Sequence, residues 1–267
     1  MAPRPDFQAL EQAISAPAGE FRRDYLQVKN LRVDFDGFVA VDGVDLVVTA
    51  GDLRFLIGPN GAGKTTLIDA ITGLANATGS ASFGGVELLG LPSHKIVRAS
   101  VGRTFQTASV IEKLSVLQNL DIAAGLHRKP RELVRRRKGI PEEVQIAAET
   151  IGLTGLLNAP AGVLAHGQRQ WLEIGMLLVQ GARCLLLDEP VAGMSAVERE
   201  QTGELLKRIG DQRTVVVVEH DMEFLRSFAN SVTVLHQGKV LAEGTVAEVQ
   251  ADPKVIEVYL GESDAAA

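Results

Sequence analysis

The sequence predicts an α/β fold: a parallel sheet covered by helices on both faces, an N-terminal antiparallel β-subdomain beside it, and an inserted α-helical subdomain. Three observations predict it. After Cys184, unbroken apolar runs alternate with helical periods, the pattern of strands buried on both faces. Before about residue 90, β-forming segments are punctuated by Gly-containing turns, the pattern of hairpins. Between about residues 107 and 181 the period becomes helical, which interrupts the core.

The elements follow in order. Met1 to Glu20 is rich in Ala and Pro; residues 1–24 are expected to form a flexible extension, 25–261 the folded domain and 262–267 a flexible tail. Tyr25–Phe35, Val44–Thr49 and Leu53–Ile57 read as strands, with turns at Asp36-Gly37, Asp42-Gly43 and Ala50-Gly51-Asp52. Leu53–Ile57 runs into a glycine loop and a helix, Lys64–Leu74; Ser80–Leu89 reads as a hairpin turning at Gly84-Gly85. Leu114–Leu126, Pro141–Ile151 and Gly167–Gln180 are helical by period. Cys184–Leu187 and Thr214–Val218 are buried strands, each followed by a helix, Ala196–Ile209 and Met222–Phe228. Ser231–His236 and Lys239–Ala242 form a hairpin about Gln237-Gly238, and Val246–Gln250 and Val255–Leu260 close the chain as short helices.

Composition narrows the function. A chain of 267 residues, 46% apolar and 22% charged, fits one large globular domain, and a net charge of -6 argues against nucleic acid as the main partner. The single Cys184 cannot form an internal disulfide and suits a reducing compartment. The apolar runs near Ile174–Val179 and Thr214–Val218 are too short to span a bilayer, so a membrane role would run through a partner.

The chemistry begins at Gly58-Pro59-Asn60-Gly61-Ala62-Gly63-Lys64-Thr65, a G-x-x-x-x-G-K-[ST] phosphate loop set between an apolar strand and a helix. Glycines let backbone N–H groups approach phosphate oxygens, the helix start adds positive potential, Lys64 supplies a charge and Thr65 a hydroxyl for Mg²⁺. These features imply Mg-ATP on a P-loop NTPase core. Asp188 ends a buried strand at the edge where ligands sit and suits the metal, and Glu189 suits a general base. His220, after Val215–Val218, would lie on the same edge near a γ-phosphate. Gln106, just ahead of the helical insert, could sense water, Mg²⁺ or γ-phosphate. The stretch Leu164-Ala165-His166-Gly167-Gln168 precedes a helix and forms a second anion site. One nucleotide cannot easily use both sites in one monomer; a two-fold dimer resolves this.

These residues, in this order, resemble the ATP-binding subunits of ABC transporters over nearly the whole chain after Tyr25. The resemblance implies an ABC nucleotide-binding domain and the following roles. Phe35 would stack on adenine, with Phe38 as fallback; the loop through Thr66 would hold phosphates; Thr65, Gln106 and Asp188 would serve Mg²⁺; Glu189, His220 and Gln106 would serve catalysis. Ala165, His166, Gly167 and Gln168 would contact a nucleotide across the dimer, and Ala192–Ser195 would cross to the partner. It also implies a second ATP-binding subunit (identical or homologous), integral membrane permease subunits, an indirect solute-binding protein, and a peripheral position on the cytoplasmic face of the inner membrane. Arg103-Thr104-Phe105-Gln106, Glu219-His220-Asp221-Met222 and the ending Val255–Gly261 resemble the branched-chain amino acid and urea importers. The stretches 166–176 and 188–194 are most similar to the urea-importer subunit, so urea is the first expectation for the solute, and branched-chain amino acids or short amides the second.

Two positions depart from the family pattern. Ala165 stands where a serine is usual, which weakens the ATP sandwich; Ser195 stands where Asp or Asn is common. The basic cluster Arg128-Lys129-Pro130-Arg131 and Arg135-Arg136-Arg137-Lys138 reads first as a solvated loop, and second as a face toward anionic lipid or the membrane subunit. A soluble ABC ATPase of cluster assembly is the alternative of another class. A small-molecule kinase would leave 164–168 and His220 without roles.

Overall fold

The computed structural model describes residues 25–105, 109–125 and 139–258. Gln106, the basic cluster 128–138 and the two terminal segments lie outside the described residues.

Two sheets form the frame. The first is antiparallel: β1 (Tyr25–Phe35), β2 (Phe38–Thr49), β4 (Thr78–Phe83) and β5 (Val86–Glu87), in the order β2-β1-β4-β5. The second contains β3 (Leu53–Ile57), β6 (Val101–Arg103), β7 (Cys184–Asp188), β8 (Thr214–Val218), β9 (Ser231–His236) and β10 (Lys239–Gly244), in the order β10-β9-β3-β8-β7-β6. All neighbours in the second sheet pair in parallel except β9 and β10, which form a hairpin.

Side-chain alternation explains why the β3, β7 and β8 strands read as unbroken apolar runs. Phe55, Ile57, Leu185, Leu187, Val215 and Val217 point into one core, shared with the helical region. Leu56, Cys184, Leu186, Val216 and Val218 point into a second core, shared with the antiparallel sheet. A strand buried on both faces has no polar side to show.

Helices cover these faces: α1 (Lys64–Ile71), α2 (Ser93–Arg98), α3 (Val116–Ala124), α4 (Glu142–Thr150), α5 (His166–Val179), α6 (Ala196–Gly210), α7 (Met222–Phe228) and α8 (Val246–Ala251). The α3, α4 and α5 helices pack together through Leu120, Val144, Ala147, Ile151, Leu172 and Ile174. They form the helical unit expected between the halves of the core.

Two expectations needed correction, and two short elements were not foreseen. Asp42-Gly43 is not a turn between strands: β2 runs through it from Phe38, with a shift in register between Leu31↔Val44 and Arg32↔Asp42. Gly43, at φ 72°, supplies the left-handed residue of a bulge, and Asn30 opposite also takes positive φ. The α1 helix stops at Ile71, not Leu74, because Gly73 at φ 72° ends it and Gly73 N–H turns back to Ala70 O. The short α2 and β6 elements went unread, since six and three residues show no period.

Candidate functional site

Parallel pairing brings three strand ends to one edge. Leu56 lies opposite Val218, and Val218 lies opposite Asp188. The residues that follow are therefore aligned: Ile57-Gly58 from β3, Glu219-His220 from β8 and Glu189 from β7. The β8 strand lies between the other two, so β3 and β7 are two strand spacings apart, roughly 10 Å. That gap suits a phosphate group held between a loop and a carboxylate.

The phosphate loop is locked by backbone packing. Gly58, at φ 147°, has the Leu235 carbonyl 2.1 Å from where a Cβ would sit. Gly63, at φ 97°, has the Ala40 carbonyl 2.4 Å from the same position. Both sites admit only glycine. Ala62 N–H donates to Pro59 O, closing a turn over Pro59-Asn60-Gly61, and Gly238 N–H donates to Ala62 O from the β9–β10 hairpin. Gly63 then becomes the N-cap of α1 with no side chain to satisfy the first amides. The start of α1 thus has the geometry of an anion-binding helix end. Lys64 Nζ lies over the loop, donating to Gly58 O at 2.6 Å and Pro59 O at 2.8 Å.

Across the gap, Asp188 is buried, and neither carboxylate oxygen has a hydrogen-bond partner. The nearest cation is Arg103 Nη2, at 3.8 Å. Burial pushes the Asp188 carboxyl above its ordinary range; Arg103 opposes this, Glu189 and Asp69 add to it, and the Thr65 hydroxyl opposes it. An orphaned carboxylate beside a threonine hydroxyl fits a hard, oxygen-seeking divalent cation such as Mg²⁺. The backbone N–H of Asp188 donates to Thr104 Oγ1 at 3.2 Å, which fixes the strand end.

Glu189 follows in the left-handed region, at φ 49°, an uncommon conformation for a side chain of its size. Its N–H donates to Val218 O at 2.9 Å, so the kink is held by the neighbouring strand. Its Oε1 lies 3.4 Å from His220 Nδ1, and His220 is largely exposed. Glu219 stands behind this pair. It is 1% exposed, accepts from Val191 N–H at 3.2 Å and from His220 N–H at 3.1 Å, and burial pushes its carboxyl up. Asp221 caps α7 through Glu223 and Phe224 N–H and pairs with Arg199 at 2.7 Å. His220 is therefore held from both sides in sequence.

Phe35 and Phe38 face each other across the β1–β2 turn, 50% and 67% exposed. The β2 strand leads from this turn to Ala40 and Asp42, which pack on Gly63 and bond to Gly238. The aromatic tip thus extends from the wall of the phosphate loop.

The stretch expected to be a second anion site lies elsewhere. Ala165 is the N-cap of α5, and among the described residues the hydrogen bonds of 165–168 run within the helix and to 192–198, not to the phosphate loop. Gln168 Oε1 accepts from Ala165 N–H at 3.0 Å. That is half of a capping box; the other half needs a side-chain oxygen at 165. The α3, α6 and α8 helices carry the full box, with Ser115, Ser195 and Thr245. His166 Nε2 donates to Ala192 O at 3.0 Å, and the Glu198 carboxylate, lowered chiefly by Ser195 and also by Gly167 N–H, ties the same corner to α6. Ser195 is a helix cap here, which accounts for a hydroxyl at that position.

Sequence reading missed Arg103, Thr104 and Glu219 as supports of the site. Arg103 pairs with Asp69 of α1 as well as approaching Asp188, so it joins the phosphate-loop helix to the β7 edge.

Comparison with known proteins places this geometry. Residues 41–192 match the family described as ABC transporter, and residues 239–265 match the branched-chain amino acid ATP-binding cassette transporter family. The chain is 37% identical over 257 residues to the high-affinity branched-chain amino acid transport ATP-binding protein BraF of Pseudomonas aeruginosa, covering 90% of this chain and 99% of the relative. It is 35% identical over 250 residues to the corresponding LivG of Escherichia coli, covering 89% and 98%. Among solved structures, the ADP conformation of MJ1267, an ATP-binding cassette of an ABC transporter, superposes with a TM-score of 0.77 at 30% identity, covering 89% of this chain and 99% of that one. The cbiO1 protein of Clostridium perfringens, part of the ABC transporter complex cbiONQ, superposes with a TM-score of 0.75 at 26% identity, covering 88% and 94%.

Proposed function

The chain belongs to the ABC transporter family as an ATP-binding subunit of the branched-chain amino acid branch, and from that premise we propose that it powers uptake of a branched-chain amino acid. One observation carries the choice of solute: a match specific to branched-chain amino acid cassettes over 239–265, together with relatives named for that transport. This reverses the order of the sequence expectation, in which urea came first. The motifs that suggested urea lie at 166–176 and 188–194, in nucleotide machinery that no solute touches. The solute is selected in partner chains: a solute-binding protein and membrane permease subunits.

Each described site residue takes a role that its surroundings support. The backbone from Gly58 to Thr66, with Lys64, binds the phosphates, and Phe35 stacks on adenine. Thr65 and Asp188 hold Mg²⁺, which supplies neutralisation of phosphate charge when bound. Glu189 is the base: it is half-exposed at the edge, fixed by Val218, and adjacent to an acid reserved for the metal. It draws a proton from the attacking water while His220, oriented by Glu219 and Asp221, contacts the γ-phosphate. Gln106 completes the set from the connection to the helical unit. The 165–168 stretch closes the nucleotide of a second subunit, identical or homologous, a reading supported by its hydrogen bonds, which among the described residues stay within α5 and reach 192–198 but not the phosphate loop of the same chain. Among the described residues no helix is long and apolar enough to cross a membrane, which fits a subunit docked on permeases at the cytoplasmic face.

The test is solute-stimulated ATP hydrolysis by the chain assembled with its permease subunits and solute-binding protein. Leucine, isoleucine or valine is expected to raise the rate, and urea to leave it at baseline. Stimulation by urea alone restores the first expectation and overturns this one.

A further inference from the structure

Glu173 lies on α5, the helix that starts at the second anion site, and no step of nucleotide chemistry described above uses it. It is 5% exposed. Its Oε1 accepts from two backbone amides, Phe105 N–H at 3.4 Å and Ser109 N–H at 3.3 Å. Phe105 follows the β6 strand of the core. Ser109 stands where the chain enters the helical unit. One carboxylate oxygen therefore holds both ends of the connection from which that unit hangs.

The surroundings do nothing to neutralise this carboxylate. It borders a cavity of about 240 Å³ whose titratable lining groups are Glu173 and Arg103. Arg103 is engaged with Asp69 and Asp188 and stacks on Phe105, 4.8 Å from the ring centre. The α2 helix faces the cavity with Ser93, Ile96 and Val97, the chain just after α1 with Thr72 and Leu74, and α5 and its C-cap with Met176, Leu177 and Gln180. None of these carries a charge. Burial pushes the Glu173 carboxyl up to about 7, and the two amides only partly offset it. Since its pKa is raised on folding, ionised Glu173 lowers stability progressively as pH rises toward and through about 7. A neutral acceptor of the same shape would be spared that loss.

We propose that Glu173 is a positioning residue, whose carboxylate ties Phe105 and Ser109 to α5 and so makes the core-to-helix connection follow the helix that carries the second anion site. Gln106 lies in sequence between the two tethered residues, so the tether relates closure at 165–168 of α5 to the residue expected at the γ-phosphate. The inference rests on the ATPase reading above and adds a residue to it.

The experiment compares wild type with Glu173→Gln and Glu173→Leu in the full-length chain. It measures MgATP affinity, kcat and KM for ATP from pH 6 to 8.5, and the melting temperature at each pH. Glutamine keeps one acceptor without charge; leucine removes the acceptor. Both variants are expected to keep wild-type ATP affinity and KM. At pH 8, kcat falls several-fold in Glu173→Gln and on the order of tenfold or more in Glu173→Leu, while Glu173→Gln melts at or above wild type. Wild-type kcat falls toward the glutamine value as pH drops through about 7. The glutamine variant lacks that limb. Wild-type kcat in either variant, or activity lost only in step with the folded fraction, overturns the proposal. A wild-type chain without ATP turnover overturns the ATPase reading and this inference with it. Normal wild-type turnover with an unaffected Glu173→Leu overturns the role of Glu173 alone.

Discussion

At the scale of single residues, the most informative position is Ala165. A serine there would do two things. It would complete the capping box that Gln168 half-makes, and it would offer a hydroxyl to a phosphate across a dimer. Ala165→Ser is therefore expected to stabilise the free chain by about 0.5–2 kcal/mol in chemical denaturation, the range for a restored N-cap. It is also expected to raise ATP hydrolysis in the assembled complex, since a hydrogen bond to a charged group is worth roughly 1.5–3 kcal/mol. Stabilisation without a rise in hydrolysis would leave 165 as a helix cap only. The phosphate loop, Asp188, Glu189 and His220 were legible in the sequence because each is announced by its neighbours along the chain. Arg103, Glu173 and Glu219 were not legible as supports. Their partners lie 34, 68 and 28 residues away, at Asp69, Phe105 and Val191, and no local pattern records such a pairing.

At the scale of elements, the loop between β3 and α1 depends on backbone contact more than on side chains. The Ala40 carbonyl lies 2.4 Å from where a Cβ on Gly63 would sit, and φ there is 97°. Gly63→Ala is expected to cost about 1–3 kcal/mol of stability and to abolish detectable ATP binding by displacing the first amides of α1. Unfolding curves together with nucleotide titration check both. Elements with a clear apolar run or alternation were legible at this scale: β1, β8, α7 and β9 fall where the sequence placed them. The Asp42-Gly43 bulge was not, because a glycine at positive φ signals a turn and a bulge alike. What separates them is whether the partner strand continues to pair, and that partner, Leu31–Arg32, is remote in sequence.

At the scale of the whole molecule, the phosphate-loop edge and the start of α5 at Ala165–Gln168 are separate, and among the described residues no hydrogen bond joins them. On the proposed reading the strand edge at Gly58–Thr66, Asp188, Glu189 and His220 binds and cleaves ATP, while the start of α5 at Ala165–Gln168 packs on 192–198 of its own chain. That separation is what a paired subunit would use, each copy closing the nucleotide of the other. The most direct measurement is the solution mass of the Glu189→Gln chain with nucleotide, which binds ATP without consuming it. With MgATP, a dimer is expected, of twice 28.5 kDa with an identical copy or of 28.5 kDa plus the companion's mass with a homologous subunit, and it is expected to dissociate with ADP. A fully ATP-loaded chain that stays at 28.5 kDa, both alone and mixed with that companion, would contradict it.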